Sequence, residues 1–125
     1  MSLMHIDWNA EPIAIVTTTL ASEDDARRLA QGAVQMRLAA CAQVESIMSH
    51  YEWHESLEAG LEWRLVFKTL PSAAQALLAW VQAQHPYAMP QLLLRMEQAN
   101  ADYASWVGAQ LQKPLITSSE PSCVR

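Results

Sequence analysis

Leu61-Glu62-Trp63-Arg64-Leu65-Val66-Phe67-Lys68 alternates along its whole length, with Leu, Trp, Leu and Phe on one side of the pattern and Glu, Arg, Val and Lys on the other. Successive side chains of a strand point to opposite faces, so this spacing describes a strand with one covered face. The extended run covers about residues 58–69, and a second one, about 40–54, lies just before it. Two extended runs this close together read as a hairpin.

Toward the N-terminus, Ser22 is followed three residues later by Asp25, a capping-box-like helix start. Ala26, Leu29, Ala30, Ala33 and Val34 then recur at helical spacing and make one buried face. Before that helix, Ile13-Ala-Ile-Val-Thr-Thr-Thr19 reads as an apolar strand, and residues 1–11 as a loose arm. Toward the C-terminus, Pro71 and Ser72 open a second helix with Leu77, Trp80, Val81 and Gln84 along one stripe. It must stop before Pro86, because a residue preceding proline, here His85, is pushed out of the α region. Gln91 to Met96 is a short strand, and a third helix from Asn100 places Tyr103, Trp106, Val107 and Leu111 on one face.

The order β-α-β-β-α-β plus a C-terminal helix makes two split βαβ halves joined by a hairpin. The expected fold is α+β: a ferredoxin-like sandwich, an antiparallel four-stranded sheet with helices on one face. Its domain spans 12–113, after the arm 1–11 and before a Pro- and Ser-rich flexible tail, 114–125. The uncovered sheet face and the long middle strands call for oligomerisation, since exposed edges invite pairing.

Composition points the same way. Hydrophobic residues are 51% and charged residues 17% of the 125, with five Trp and six Met. So few charges leave more apolar surface than one small domain hides, and part of it belongs in a subunit interface. The net charge of −5, with scattered Lys and Arg, argues against nucleic acid as a partner. Apolar runs are too short for a membrane span, and Met1 to Pro12 shows no secretory signal. Cys41 and Cys123 make no disulfide framework, so a reducing, cytoplasmic setting is expected. Cys41 reads as an inert core thiol.

Three places carry possible chemistry. In His85-Pro86-Tyr87-Ala88-Met89-Pro90-Gln91 two prolines fix a junction between helix and strand, which holds His85 and Tyr87 rigidly. His85 either serves a site there or caps the preceding helix carbonyls. His50, Glu52 and His54 alternate on one strand face, where two of them could bridge a metal, although a solvated hairpin face is the simpler reading. Enzyme signatures such as GxSxG, a phosphate-binding lysine loop and GxGxxG are missing, and the chain has three glycines.

The runs Val16-Thr-Thr-Thr19, Arg37-Leu-Ala-Ala-Cys-Ala42, Tyr51-x-Trp53, Phe67-Lys-Thr69, His85-Pro-Tyr-x-x-Pro90 and Asp102-Tyr-x-x-Trp106 occur in order across residues 13–111. Together they resemble the CutA divalent-cation tolerance family. The resemblance implies a ferredoxin-like fold in a tight homotrimer, with an architecture similar to the PII nitrogen-signalling proteins. It also implies a cytoplasmic location in bacteria, a link to copper and other divalent cations, and no established enzymatic activity. The family's inter-subunit cleft, carried over, falls on Trp53, Lys68, His85, Tyr87, Gln91 and Tyr103.

This chain departs from the family at its metal ligands. Thr18 stands where some members have a cysteine, Gln84 where those members have a second histidine, and Gln91 where an acid is usual. Of that ligand set only His85 stays, and one imidazole with weak oxygen donors makes no tight copper site. The hairpin tip Trp53-His-Glu-Ser56 replaces the usual Trp-x-Gly-Lys, so the turn must manage without glycine. Three functions follow as expectations. The first is a metal-responsive trimer taking a divalent cation such as copper, or a small anion, in the cleft. There Lys68 would supply positive charge, His85 a pH-sensitive donor or ligand, and Tyr87 and Tyr103 hydrogen bonds. The second is a non-catalytic structural or adaptor trimer. The third is an enzyme using His85 as general base.

Overall fold

The structure, a computed structural model, describes residues 5–116. Its elements run β1 (Ile13–Leu20), α1 (Glu23–Gln35), β2 (Cys41–Trp53), β3 (Ser56–Thr69), α2 (Pro71–Gln84), β4 (Leu93–Glu97) and α3 (Ala101–Leu111). The strands form one antiparallel sheet in the order β2-β3-β1-β4. This is the α+β, ferredoxin-like arrangement with an extra C-terminal helix.

Local chemistry sets the helix ends. The Asp25 N–H donates to Ser22 Oγ at 3.0 Å, closing the first turn of α1. Glu23, Asp24 and Asp25 place negative charge at the positive end of its dipole. At the other end Arg37 takes a left-handed φ of 58°. The Leu38 N–H donates to Ala33 O and the Arg37 N–H to Val34 O, a Schellman closure built without glycine. Where α1 meets α2, Gly32 matters for a different reason: a Cβ there would lie 2.9 Å from the Trp80 ring.

All eight residues of β1 are buried, because both faces of this strand are covered. Val16 and Leu20 join Leu65 and Phe67 of β3 under Leu29, Ala33, Leu77 and Val81 of α1 and α2. Each large side chain buried there contributes roughly 1.5–3 kcal/mol. Ile13 and Ile15 point the other way, packing with Val66, Ala99, Ala104 and Tyr103. The expectation of helices on one face therefore needs correction. α3 lies on the opposite face, drawn there by the isoleucines that alternate away from the main core.

Four smaller readings also change. The arm is not loose at residues 7–9: Asn9 N–H donates to Ala99 O, Ala101 N–H donates to Asp7 O, and Trp8 bridges to Asn100. The start of the tail is tied down as well, since Arg37 Nε donates to Pro114 O and Ile116 N–H to Gln35 O. Gln84 is exposed rather than part of the buried stripe of α2. Cys41 is half-buried on the Lys68 side of the sheet rather than in the core; Cys123 lies outside the described residues.

The β2–β3 hairpin is much longer than the sheet it belongs to. It pairs without interruption from Cys41↔Lys68 to Trp53↔Ser56, whereas β1 accompanies β3 only from Trp63 to Thr69. The ribbon beyond Trp63 carries exposed apolar side chains, including Met48, Tyr51, Trp53, Leu57 and Leu61. At its tip His54 and Glu55 have φ of 50° and 66°. Both central residues of the turn are thus left-handed, the requirement of a tight two-residue hairpin, met here by side chains that resist it. Replacing them together, His54→Asn with Glu55→Gly, should stabilise the protein by about 1 kcal/mol, read as a rise in denaturant midpoint at fixed protein concentration.

Candidate functional site

β1 ends at Leu20, and the chain leaving α2 crosses that end before it becomes β4. His85 fixes the crossing. Its side chain is buried at 9% exposure. Nε2 lies 2.9 Å from Thr19 O and Nδ1 lies 3.2 Å from the Tyr87 N–H. A carbonyl only accepts and an amide N–H only donates, so the ring is neutral, with its proton on Nε2. The Tyr87 ring meets His85 edge-on at 4.7 Å, and its hydroxyl donates to Glu62 Oε2 at 2.8 Å. The bend is therefore stapled to β1 through His85 and to β3 through Tyr87. His85 does not cap the α2 carbonyls: its ring turns to the sheet instead.

Burial lowers the His85 pKa against weaker opposing pulls from the Thr19 carbonyl, Asp25 and Glu62. Burial, then the bond to Glu62, raises that of Tyr87, which keeps the phenol protonated. In this conformation both imidazole nitrogens are engaged within the chain. The ring presents no lone pair to a cation or to a substrate proton.

A cavity of about 600 Å³ opens between this bend and the projecting hairpin. Its wall includes Thr19, Tyr51, Trp53, Glu62, Tyr87 and Gln91. Of the six cleft residues expected, Trp53, Tyr87 and Gln91 meet here, with His85 behind them. Lys68 and Tyr103 do not. Lys68 pairs with Ile15 and Cys41, and its Nζ donates to Gln43 Oε1. It sits twelve residues along β3 from Ser56, the partner of Trp53, roughly 40 Å at the rise of an extended strand. Tyr103 stacks on Trp106 at 5.7 Å and packs over Ile13 and Ile15.

The remaining motifs sort themselves by strand parity. His54 falls in the turn, so the row His50-Glu52-His54 is broken, and His50 alone of the three lines the cavity. Among the described residues no three His, Cys, Asp or Glu side chains group to hold a metal ion. Thr18 faces the helix-side core at 0% exposure, so position 18 does not line the cavity in this chain. Sequence reasoning missed Glu62, Tyr51 and Thr19. Glu62 was visible as a charge on the face of β3 opposite Trp63, but its partner Tyr87 lies 25 residues away. No helix among the described residues is long and apolar enough to cross a membrane.

Two stability predictions follow from these geometries. Thr18 Oγ1 is buried with no hydrogen-bond partner among the described residues. Thr18→Val should therefore raise stability by about 1–2 kcal/mol, measured by denaturant unfolding. The lowered His85 pKa means the unfolded chain binds a proton more readily than the folded one. The contribution of His85 is full above the ordinary value of 6.5 and is lost as pH falls below it. Thermal unfolding between pH 7.5 and 5.5 should show a falling midpoint, and His85→Gln should flatten that slope.

The comparisons with known proteins bear on the whole of this arrangement. Residues 14–110 match the family model described as CutA1 divalent ion tolerance protein. A divalent-cation tolerance protein CutA of Citrobacter koseri is 36% identical over 114 residues, covering 86% of this chain and 99% of its own. A CutA homolog of Xenopus laevis is 39% identical over 92 residues, 72% of this chain and 61% of that one. The CutA structure from Synechococcus elongatus superposes with a TM-score of 0.81 at 33% identity, covering 88% of this chain and 98% of that one. A second structure of the same protein, described as complexed with a Bis-Tris molecule, gives 0.75 at 33% identity over 81% and 95%. With a family model spanning residues 14–110 and the Citrobacter koseri relative matched over 99% of its own length, the chain belongs to the CutA divalent ion tolerance family.

Proposed function

We propose that this chain is a non-catalytic, cytoplasmic binding protein that assembles as a homotrimer and takes a small ligand in clefts between its copies. The observation that carries this reading is the hairpin. From Ser56 to Glu62, β3 has β2 on one side and no strand on the other. A bare two-stranded ribbon is marginally stable in water. This one exposes Leu57 at 84%, Met48 at 60% and Leu61 at 52%. A second copy is the partner with matching apolar surface, and free edges on β2 and β4 offer it strands to pair with.

The distance between Lys68 and Trp53 supports the same assembly. A cleft that includes Trp53, Lys68, His85, Tyr87, Gln91 and Tyr103 needs two chains, one giving the His85–Gln91 bend and its hairpin, the next giving Lys68 and Tyr103. Metal response in this reading does not rest on a copper site inside one chain. The sulfur and second imidazole of such a site are Thr18 and Gln84 here, and His85 already spends both nitrogens on Thr19 and Tyr87. A relative solved with Bis-Tris, a hydroxylated tertiary amine, supports small organic molecules as ligands of this fold.

Sedimentation should give three times the 14.0 kDa chain mass at micromolar concentration. The double variant Leu57→Glu with Leu61→Glu, which changes residues already exposed in the single chain, should sediment as a monomer. A wild-type monomer at that concentration would defeat the proposal.

A further inference from the structure

Cys41 opens β2, an edge strand, at the end opposite the hairpin tip, and its side chain is half-buried rather than in the core. Its partner across the ladder is Lys68. Residues directly opposite share one face, with Cβ atoms about 5 Å apart. The other end of the chain returns to the same region. Arg37 Nε donates to Pro114 O at 2.9 Å and the Ile116 N–H donates to Gln35 O at 3.0 Å, which pins residues 114–116 to the end of α1. Cys123, the second of the chain's two cysteines, follows Ile116 by seven residues.

Chain arithmetic puts the two thiols within reach of each other. The Leu38 and Ala39 N–H groups both donate to Ala33 O, so the loop after α1 folds back before β2 begins. Gln35 is two residues along the helix from Ala33, and Cys41 is two residues on from Ala39. Gln35 and Cys41 therefore lie within about 20 Å of each other. Seven residues extend to about 25 Å, and a disulfide itself spans about 5.5 Å between Cα atoms. The spacer Thr117-Ser-Ser-Glu-Pro-Ser122 holds no large apolar side chain for a core. A thiol on so short a tether has an effective concentration on the order of millimolar, above that of a second molecule at micromolar dilution.

We infer that Cys41 and Cys123 of one chain form a redox pair, whose disulfide ties the tail across Lys68. The oxidant is a hydroperoxide. It oxidises one thiolate to the sulfenic acid as its O–O bond breaks, and one water leaves. The second thiolate attacks that sulfur, the S–S bond forms, the S–O bond breaks, and a second water leaves. Two electrons pass from the sulfurs to the peroxide, and a dithiol reverses the change. Disulfides of cytoplasmic proteins are typically transient and redox-sensing, which suits this one. Lys68 belongs to the subunit cleft in the assembly proposed above, and on that reading oxidation closes the cleft.

The test treats the full-length protein with hydrogen peroxide at micromolar protein concentration. Intact mass should fall by two hydrogens, and peptide mapping should find Cys41 joined to Cys123, a link that dithiothreitol undoes. The oxidised chain should run as a monomer in a non-reducing denaturing gel. Cys41→Ser and Cys123→Ser should each abolish the link. A water-soluble acetylating ester should modify Lys68 about five-fold more slowly in the oxidised protein, because the covered amine reacts only when the tail opens. Peroxide-treated Cys123→Ser should keep the unoxidised rate. N-ethylmaleimide failing to reach Cys41 in the native protein would overturn the pair, as would thiols carried to sulfinic acid with no bridge. Bridges between chains, seen as dimer bands, would overturn the tie within one chain. A bridge that left the Lys68 rate unchanged would overturn its closing role. Sedimentation of the same samples separates this from the assembly: a monomer that carried the bridge would defeat the trimer and leave the redox pair standing.

Discussion

One imidazole joins the parts of this molecule that surround its cavity. His85 stands where α2 ends, donates to the Thr19 carbonyl near the end of β1 and accepts from the backbone of its own bend. Because neither partner can reverse its role, the ring is held in one tautomer and one orientation. Tyr87 is placed by that bond, and Glu62 is engaged through Tyr87. The wall of the cavity is thus positioned from behind, by a buried group that does not itself line it.

The second constraint is geometric. A sheet whose central strand stops at Leu20 leaves the longer hairpin without a neighbour beyond Trp63. The cavity exists because the bend covers only part of that gap. What remains exposed is apolar on both faces of the ribbon, with Met48 and Leu61 on one side and Tyr51 and Trp53 on the other. The same excess length that creates the cavity also leaves this apolar surface uncovered within one chain.

Most of the architecture was legible because it depends on local pattern. The alternation of Leu61 to Lys68, the Ser22–Asp25 cap and Pro86 each fix an element through near neighbours, and the structure has those elements where expected. What was not legible depends on contacts distant in sequence. The side taken by α3 follows from Ile13 and Ile15, some ninety residues earlier, whose parity mattered only once a second face needed covering. The cleft residues named by resemblance include Lys68 and Tyr103, which one chain holds away from the others, since resemblance transfers identities and not distances. Glu62 went unnoticed because a lone acid in an alternating strand looks like any solvated position until its tyrosine is known.

The burial of β1 on both faces has a consequence for synthesis. This strand is apolar throughout its first half, Ile13-Ala-Ile-Val16, and it emerges from the ribosome before its sheet neighbours β3 and β4. One edge receives β3 once Thr69 has been made, but the other stays bare until Leu93 to Glu97 arrive. For that interval the nascent chain carries an open, hydrophobic strand edge, the kind of surface that seeds misassembly. Chaperone dependence during translation would then trace to the position of β4 in the gene, rather than to any weakness of the finished fold.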